Sequence, residues 1–406
     1  MRWKSLLVPA AFVLLSACGD AVAPCRHRSD PASPSYVVTY VIVIPPEFHL
    51  LVQQELQLQA RAEDERRNRV MQAECTWSTA DPTVVAVDSV GLAKGISPGS
   101  AAVTATCDGV TGSALLTVDP WILMFPGTGG ALYDIGGSSA TDIFSVGTAD
   151  VWSCCGTIVH YDGLSWKEMA VPSVPGALLG VWVSSADDVF AVGEGGTILH
   201  YDGTTWAIME SGTTSDLGGI WGSSPTDVFA VGEGGTVLRY DGQSWSPMPV
   251  LSGSPFLSSI WGSSGTDVFA AGQGGEIVHY DGASWVEMYD AAFPLKKVWG
   301  SSATDVFAVG EWATVLHYDG ASWKPMGVPT IHQLTGIWGT ADNDIFVVGA
   351  ADGWEFTGGP AAFLHYDGAG WEEMKPEIAT GLLGVWGTSE DLFLVGSWSM
   401  VIRVTR

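Results

Sequence analysis

Beyond residue 131 the chain repeats one alternation of apolar and polar positions. The run D-V-F-A-V-G, a block of apolar and small residues behind an aspartate, occupies 188–193, 227–232 and 305–310. Near copies begin at Asp142, Asp267, Asp344 and Asp391. The tetrad W-G-S-S, or a variant of it, precedes each run. It starts at Gly136, Trp182, Trp221, Trp261, Trp299, Trp338 and Trp386, at spacings of 46, 39, 40, 38, 39 and 48. A second pattern, T-I/V-L/V-H-Y-D-G-x-x-W-x-x-M, occurs in most copies. Short apolar runs fenced by Gly, Ser and Asp predict strands, and the near-continuous apolar run predicts a strand covered on both faces. Each unit then holds four strands: A ending in G-I/V-W, B as D-V-F-A-V-G, C as T-V-L-H-Y and D as W-x-x-M.

Four-stranded units of about 40 residues predict the blades of a β-propeller. Strands A to C occur seven times, and the last copy ends at Val401-Ile402-Arg403-Val404 without its W-x-x-M. Trp121-Ile122-Leu123-Met124 stands alone before the first copy and matches that missing strand. The expected fold class is therefore all-β, with a seven-bladed β-propeller over 120–406 closed by strand 121–124. Such closure removes the open edges that invite aggregation. The repeat resembles propellers of the Asp-box and photosystem-assembly-factor kinds. Its Y-D-G-x-S-W turn is similar to the sialidase Asp-box S-x-D-x-G-x-T-W, although the first Ser is absent and Gly directly follows Asp. That resemblance implies the fold and no activity.

Residues 36–119 show another strand pattern. Val84, Val85 and Val87 predict a strand, Gly91, Gly95 and S-P-G-S at 97–100 predict turns, and Ala102–Thr106 and Ala114–Val118 predict further strands. Cys75 and Cys107 fall in two strand-like stretches and are expected to form a disulfide. The segment with Trp77, Asp81-Pro82, Val84, Val87, Gly91, Gly95 and Ser97-Pro98-Gly99 resembles the group 2 bacterial immunoglobulin-like domain. The resemblance implies a β-sandwich spacer or adhesive module without an active site. The charged run EDERRNR at 63–69 is expected to be a solvated loop.

The first 18 residues carry Arg2 and Lys4, an apolar run from Leu6 to Leu15, and then Ser16-Ala17-Cys18. The run is too short for a permanent span, which needs about 20 residues. This layout resembles a bacterial lipobox, which implies thioether diacylation of Cys18, cleavage before it and then N-acylation. Residues 19–35, rich in Pro, Ser and Ala, are expected to be a flexible linker. A lipid-anchored monomer of the bacterial cell envelope is the expectation, with membrane contact through the anchor.

Charge narrows the choice of partner. The formal net charge is −27, and residues 121–406 hold 8 Lys and Arg against 32 Asp and Glu. So acidic a surface repels phosphate backbones and excludes nucleic acid. A protein or a glycan at the envelope fits. No Cys-x-x-Cys spacing points to zinc, so neither metal nor cofactor is expected, and Cys25, Cys154 and Cys155 are left unassigned.

Residues present in nearly every blade cannot mark one site. The recurring aspartates and His160, His200, His279, His317 and His365 are expected to serve turns and buried hydrogen bonds. The residues that break the repeat are more informative. Thirteen tryptophans belong to strands A and D, whereas Trp152, Trp312, Trp354 and Trp398 fall in B–C loops, where blades 2 to 4 carry Gly-Gly. They belong to blades 1, 5, 6 and 7, neighbours around the ring. With Glu311, Asp352 and Glu355 they are the candidate ligand platform: flat rings for apolar side chains or sugar faces, carboxylates for orientation. No catalytic residue is assigned. A sialidase-like glycoside hydrolase would need three convergent arginines, and the propeller has only Arg239, Arg403 and Arg406. A two-carboxylate glycosidase, or an assembly factor for an envelope complex, remains an alternative to a binding scaffold.

Overall fold

The computed structural model describes residues 37–52, 54–150, 155–249, 256–350, 361–374 and 381–406. Cys18, Trp152, Cys154, Asp352, Trp354 and Glu355 lie outside the described residues. Among those described, no helix is long and apolar enough to cross a membrane.

The N-terminal unit is a small sandwich. One sheet orders Glu47–Leu51, Val110–Asp119, Gly99–Cys107 and Cys75–Thr79, the first pair parallel. Facing it are Glu55–Gln57, Leu92–Gly95 and Val85–Val87, with a further pair, Tyr40–Ile44 and Gln59–Glu63. Strand 99–107 alternates buried and part-exposed residues, the period of a strand with one face on a core. Val103, Ala105, Leu116 and Val118 fill that core with Leu50, Leu58 and Val85. Cys75 and Cys107 are register partners whose sulfurs lie 2.05 Å apart. The charged run does not behave wholly as a solvated loop. Its first residue, Glu63, is buried at a strand end, where Arg61 and Arg67 both pair with it and hold its carboxyl below the usual range.

Only Pro120 separates the last sandwich strand from Trp121–Met124. From there the described residues hold seven four-stranded antiparallel sheets. Blade 2 is typical, with Leu178–Ser185, Asp188–Gly193, Ile198–Tyr201 and Trp206–Met209. The A strands touch their neighbours in chain order, and Leu132–Ser139 also touches Leu382–Gly387, the A strands of blades 1 and 7. In the seventh sheet Trp121–Met124 pairs with Val401–Thr405, so that both ends of the repeat region share one blade.

Apolar burial lies between blades. Phe190 and Ile198 of blade 2 pack with Leu217, Ile220, Val228, Leu238 and Trp245 of blade 3. The strand D tryptophan is the recurrent joint, standing edge-on to a phenylalanine of the preceding blade. Ring centroids are 6.3 Å apart for Phe144–Trp206, 6.4 Å for Phe190–Trp245 and 6.2 Å for Phe269–Trp323. Trp121 stands edge-on to blade 6 in a similar way, but on Phe363 of strand C rather than on the strand B phenylalanine, at 5.5 Å.

One buried charge departs from the repeat. Glu276 opens strand C of blade 4, at the position held by Thr157, Thr197, Thr236 and Thr314 in blades 1, 2, 3 and 5. It is 7% exposed, and no side chain pairs with its carboxylate, which only the backbone amides of Glu276 and Gly274 approach. Burial raises its pKa, and Asp290 and Glu287 add repulsion. A carboxyl raised in the folded state is tolerated while protonated, and stability is lost as pH rises from its unfolded value near 4.5 through the folded one. Glu276→Thr should therefore raise stability at pH 7 by about 1–2 kcal/mol and change little near pH 3. Thermal melts of both chains across pH check this, and an equal difference at both pH values would refute it.

Candidate functional site

The repeated polar residues are occupied within their own blades. His Nε2 meets Asp Oδ1 at 2.7 Å in His160–Asp142, 2.6 Å in His200–Asp188 and His279–Asp267, 2.7 Å in His317–Asp305 and 3.0 Å in His365–Asp344. Each imidazole also lies over the strand B phenylalanine, as His160 does on Phe144 at 4.4 Å. Hydroxyls of Ser223 and Ser301 donate to the second oxygen of Asp227 and Asp305, both at 2.5 Å. These networks clamp the A–B turn to strand C. The arginines are committed too: Arg239 to Asp227, Arg403 to Asp391 and Arg406 to Asp344. Held on separate carboxylates, they form no three-arginine site of the sialidase kind.

The B–C loops differ. In blades 2 and 3 the turn after strand B runs through Gly195-Gly196 and Gly234-Gly235, at φ of 64° and 74°, and 66° and 72°. Glycine suits that left-handed backbone. Blade 5 takes the same path with Trp312-Ala313, both at φ 55°, and blade 7 with Trp398-Ser399, at 62° and 54°. The anchoring is shared: Glu194 N donates to Ala177 O, Glu311 N to Pro294 O and Ser397 N to Gly381 O. An L-residue in this conformation costs about 1–2 kcal/mol. Large side chains usually offset such a cost by burial. Here Trp312 is 72% exposed and Trp398 50%. Most of the Trp312 indole and half of Trp398 thus stay in solvent, so burial offsets little of that cost.

Two loops meet the turn that carries Trp312. Phe293, from the loop entering blade 5, lies with its ring 6.1 Å from the indole. His332, from the loop entering blade 6, accepts the Ala313 amide at 3.1 Å through its carbonyl. Beside it Ile331 is 79% exposed. Val328, Pro329, Thr330, Ile331, His332 and Glu373 line an open hollow of about 380 Å³. Of the expected carboxylates, the structure places Glu311 in an ion pair with Lys296 at 3.0 Å, so it is not a bare charge. Trp398 is set beside the loop entering blade 1, through the Ser399 amide on Gly130 O at 2.6 Å.

Sequence reasoning missed Phe293, Ile331 and His332, which sit in D–A loops with no repeat to break. It also missed Lys297 and Asp134, although a signal was present. Both stand at an inner-strand position filled elsewhere by Gly180, Gly219, Ser259, Gly336 and Gly384. Small residues there let A strands close up; a Cβ on Gly219 would lie 2.9 Å from Ser259 Cα. Lys297 Nζ reaches Asp134 Oδ1 at 2.7 Å, tying blade 5 to blade 1, while Asp134 Oδ2 accepts the Val181 amide of blade 2 at 3.1 Å. Among the described residues no group of three or more His, Cys, Asp or Glu is placed to hold a metal ion.

Residues 37–118 match the family model of the bacterial Ig-like domain, group 2. No curated protein matches the chain by sequence. Among solved structures the chain is similar to YCF48 bound to D1 peptide, at 13% identity and a TM-score of 0.57, over 71% of this chain and 97% of that one. It is similar to the WD40 β-propeller domain of Doa1, at 10% identity and 0.57, over 70% and 97%. A third is a catalytically inactive virginiamycin B lyase from Staphylococcus aureus with quinupristin, at 13% identity and 0.58, over 70% and 99%. Identities this low show a shared fold alone. The chain thus joins a bacterial Ig-like domain of group 2, over residues 37–118, to a β-propeller.

Proposed function

We propose that this chain is a lipid-anchored protein of the bacterial envelope that binds a protein partner through the loop face of blades 5 to 7 and catalyses no reaction. The observation that carries the reading is the pair Trp312 and Trp398, exposed in left-handed conformations that two other blades give to glycine. Exposed aromatic residues on rigid loops are the usual anchors of interfaces. The fold supports a scaffold role, and the Ig-like module would act as a spacer between an anchor at Cys18 and the propeller. That YCF48 was solved with a peptide favours a protein partner over a glycan.

The test is a pull-down from envelope extract with the chain from residue 36, beside Trp312→Gly/Trp398→Gly. Both substitutions restore the residue that the backbone favours, so the variant should melt at the same temperature or slightly higher. Capture should fall at least tenfold. Equal capture by both chains, or a melting temperature lowered by many degrees, would overturn the reading. A glycan that is bound by the native chain and lost by the variant would keep the site and change the partner.

A further inference from the structure

The hollow beside Trp312 specifies more than an interface. Its walls are apolar at Val328, Pro329 and Ile331, and the turn that carries Trp312 is joined to its lining by the Ala313 amide, which donates to the His332 carbonyl at 3.1 Å. Nδ1 of His332, a lining residue, is shut from solvent and has no hydrogen-bond partner. Among the described residues the lining holds one carboxylate, Glu373, and no lysine or arginine. Lys296, on the strand entering blade 5, is already neutralised by Glu311. The whole propeller is strongly acidic, with 8 Lys and Arg against 32 Asp and Glu. An open space of about 380 Å³ is at the low end for a small-molecule pocket and suits one bulky side chain with its flanking backbone.

Taking this loop face as the binding face proposed above, we propose that its occupant is a cationic segment of a partner protein: one large apolar side chain seated in the hollow, flanked by lysine or arginine. The flanking cations meet Glu373 and the acidic surround, and one of them has the open face of Trp312 available for a cation–π contact. Electrostatic attraction of this kind steers encounter and weakens with salt, whereas the apolar anchor does not.

The probe is a fluorescent nonapeptide with a central leucine among lysines, titrated against the full chain in a non-ionic detergent. Two control peptides carry glutamate in place of lysine, or alanine in place of the leucine. The lysine–leucine peptide should bind at least tenfold tighter than either control and weaken several-fold between low and high salt. Trp312→Gly and Ile331→Ser should each weaken it about tenfold, and Glu373→Gln two- to fivefold. Equal binding of the lysine and glutamate peptides, or indifference to these substitutions, overturns the proposal. Should the Trp-dependent pull-down persist while the peptide preference is absent, the loop face stands and the cationic class is wrong. Loss of both removes the site itself.

Discussion

Replacing Trp121 by alanine should destabilise the propeller by about 3–5 kcal/mol, the usual cost of removing a large aromatic side chain from a packed site. Trp121 is buried, stacks edge-on to Phe363 of blade 6 and pairs with Val404 of blade 7. Ile122→Pro should do more, because a proline opposite Arg403 removes a ladder donor and unzips the four-residue strand. Opening it uncovers Val401–Thr405, whose Val401, Ile402 and Val404 are buried in the paired sheet. An exposed apolar edge of that kind recruits other chains. Calorimetry should show a large drop in the propeller transition, and light scattering should show oligomers for the proline variant. A monomeric variant with an unchanged melting temperature would mean that 121–124 does not hold the ring shut.

The second large effect concerns the sandwich. Cys75→Ala/Cys107→Ala, or reduction, should cost it about 3–4 kcal/mol, since the bond closes a loop of 32 residues and restricts the unfolded chain accordingly. The loss should fall on the Ig-like domain alone. The variant's calorimetric trace should show one transition moved down and the propeller transition in place. A trace that does not change would show that the two sulfurs are not bonded in the protein, and a shift of both transitions would show that the domains unfold as one unit across Pro120.

The candidate site was only partly legible in the sequence. Trp312 and Trp398 stand out by breaking a repeat, because identical blades impose identical needs. Their exposure and left-handed backbone were not legible, since the same departure could equally have capped a blade by packing. Glu311 reads as a free carboxylate until the fold brings Lys296 to 3.0 Å from it. Phe293, Ile331 and His332 sit in loops of variable length, where no period exists to be broken. The Asp134–Lys297 bridge spans 163 residues of chain, and neither residue is unusual beside its own neighbours.

The local architecture is written in the chain: strands, turns, the unit length, the two-domain order and the match of Trp121–Met124 to a missing strand. These come from short-range patterning, because burial alternates along a strand and turns demand particular residues within a few positions. Which loops of different blades meet, which charges are neutralised and which rings stay in solvent emerge only from the folded chain. Those depend on the radial placement of blades around the ring, a geometry set by packing between sheets and carried by no single stretch of chain.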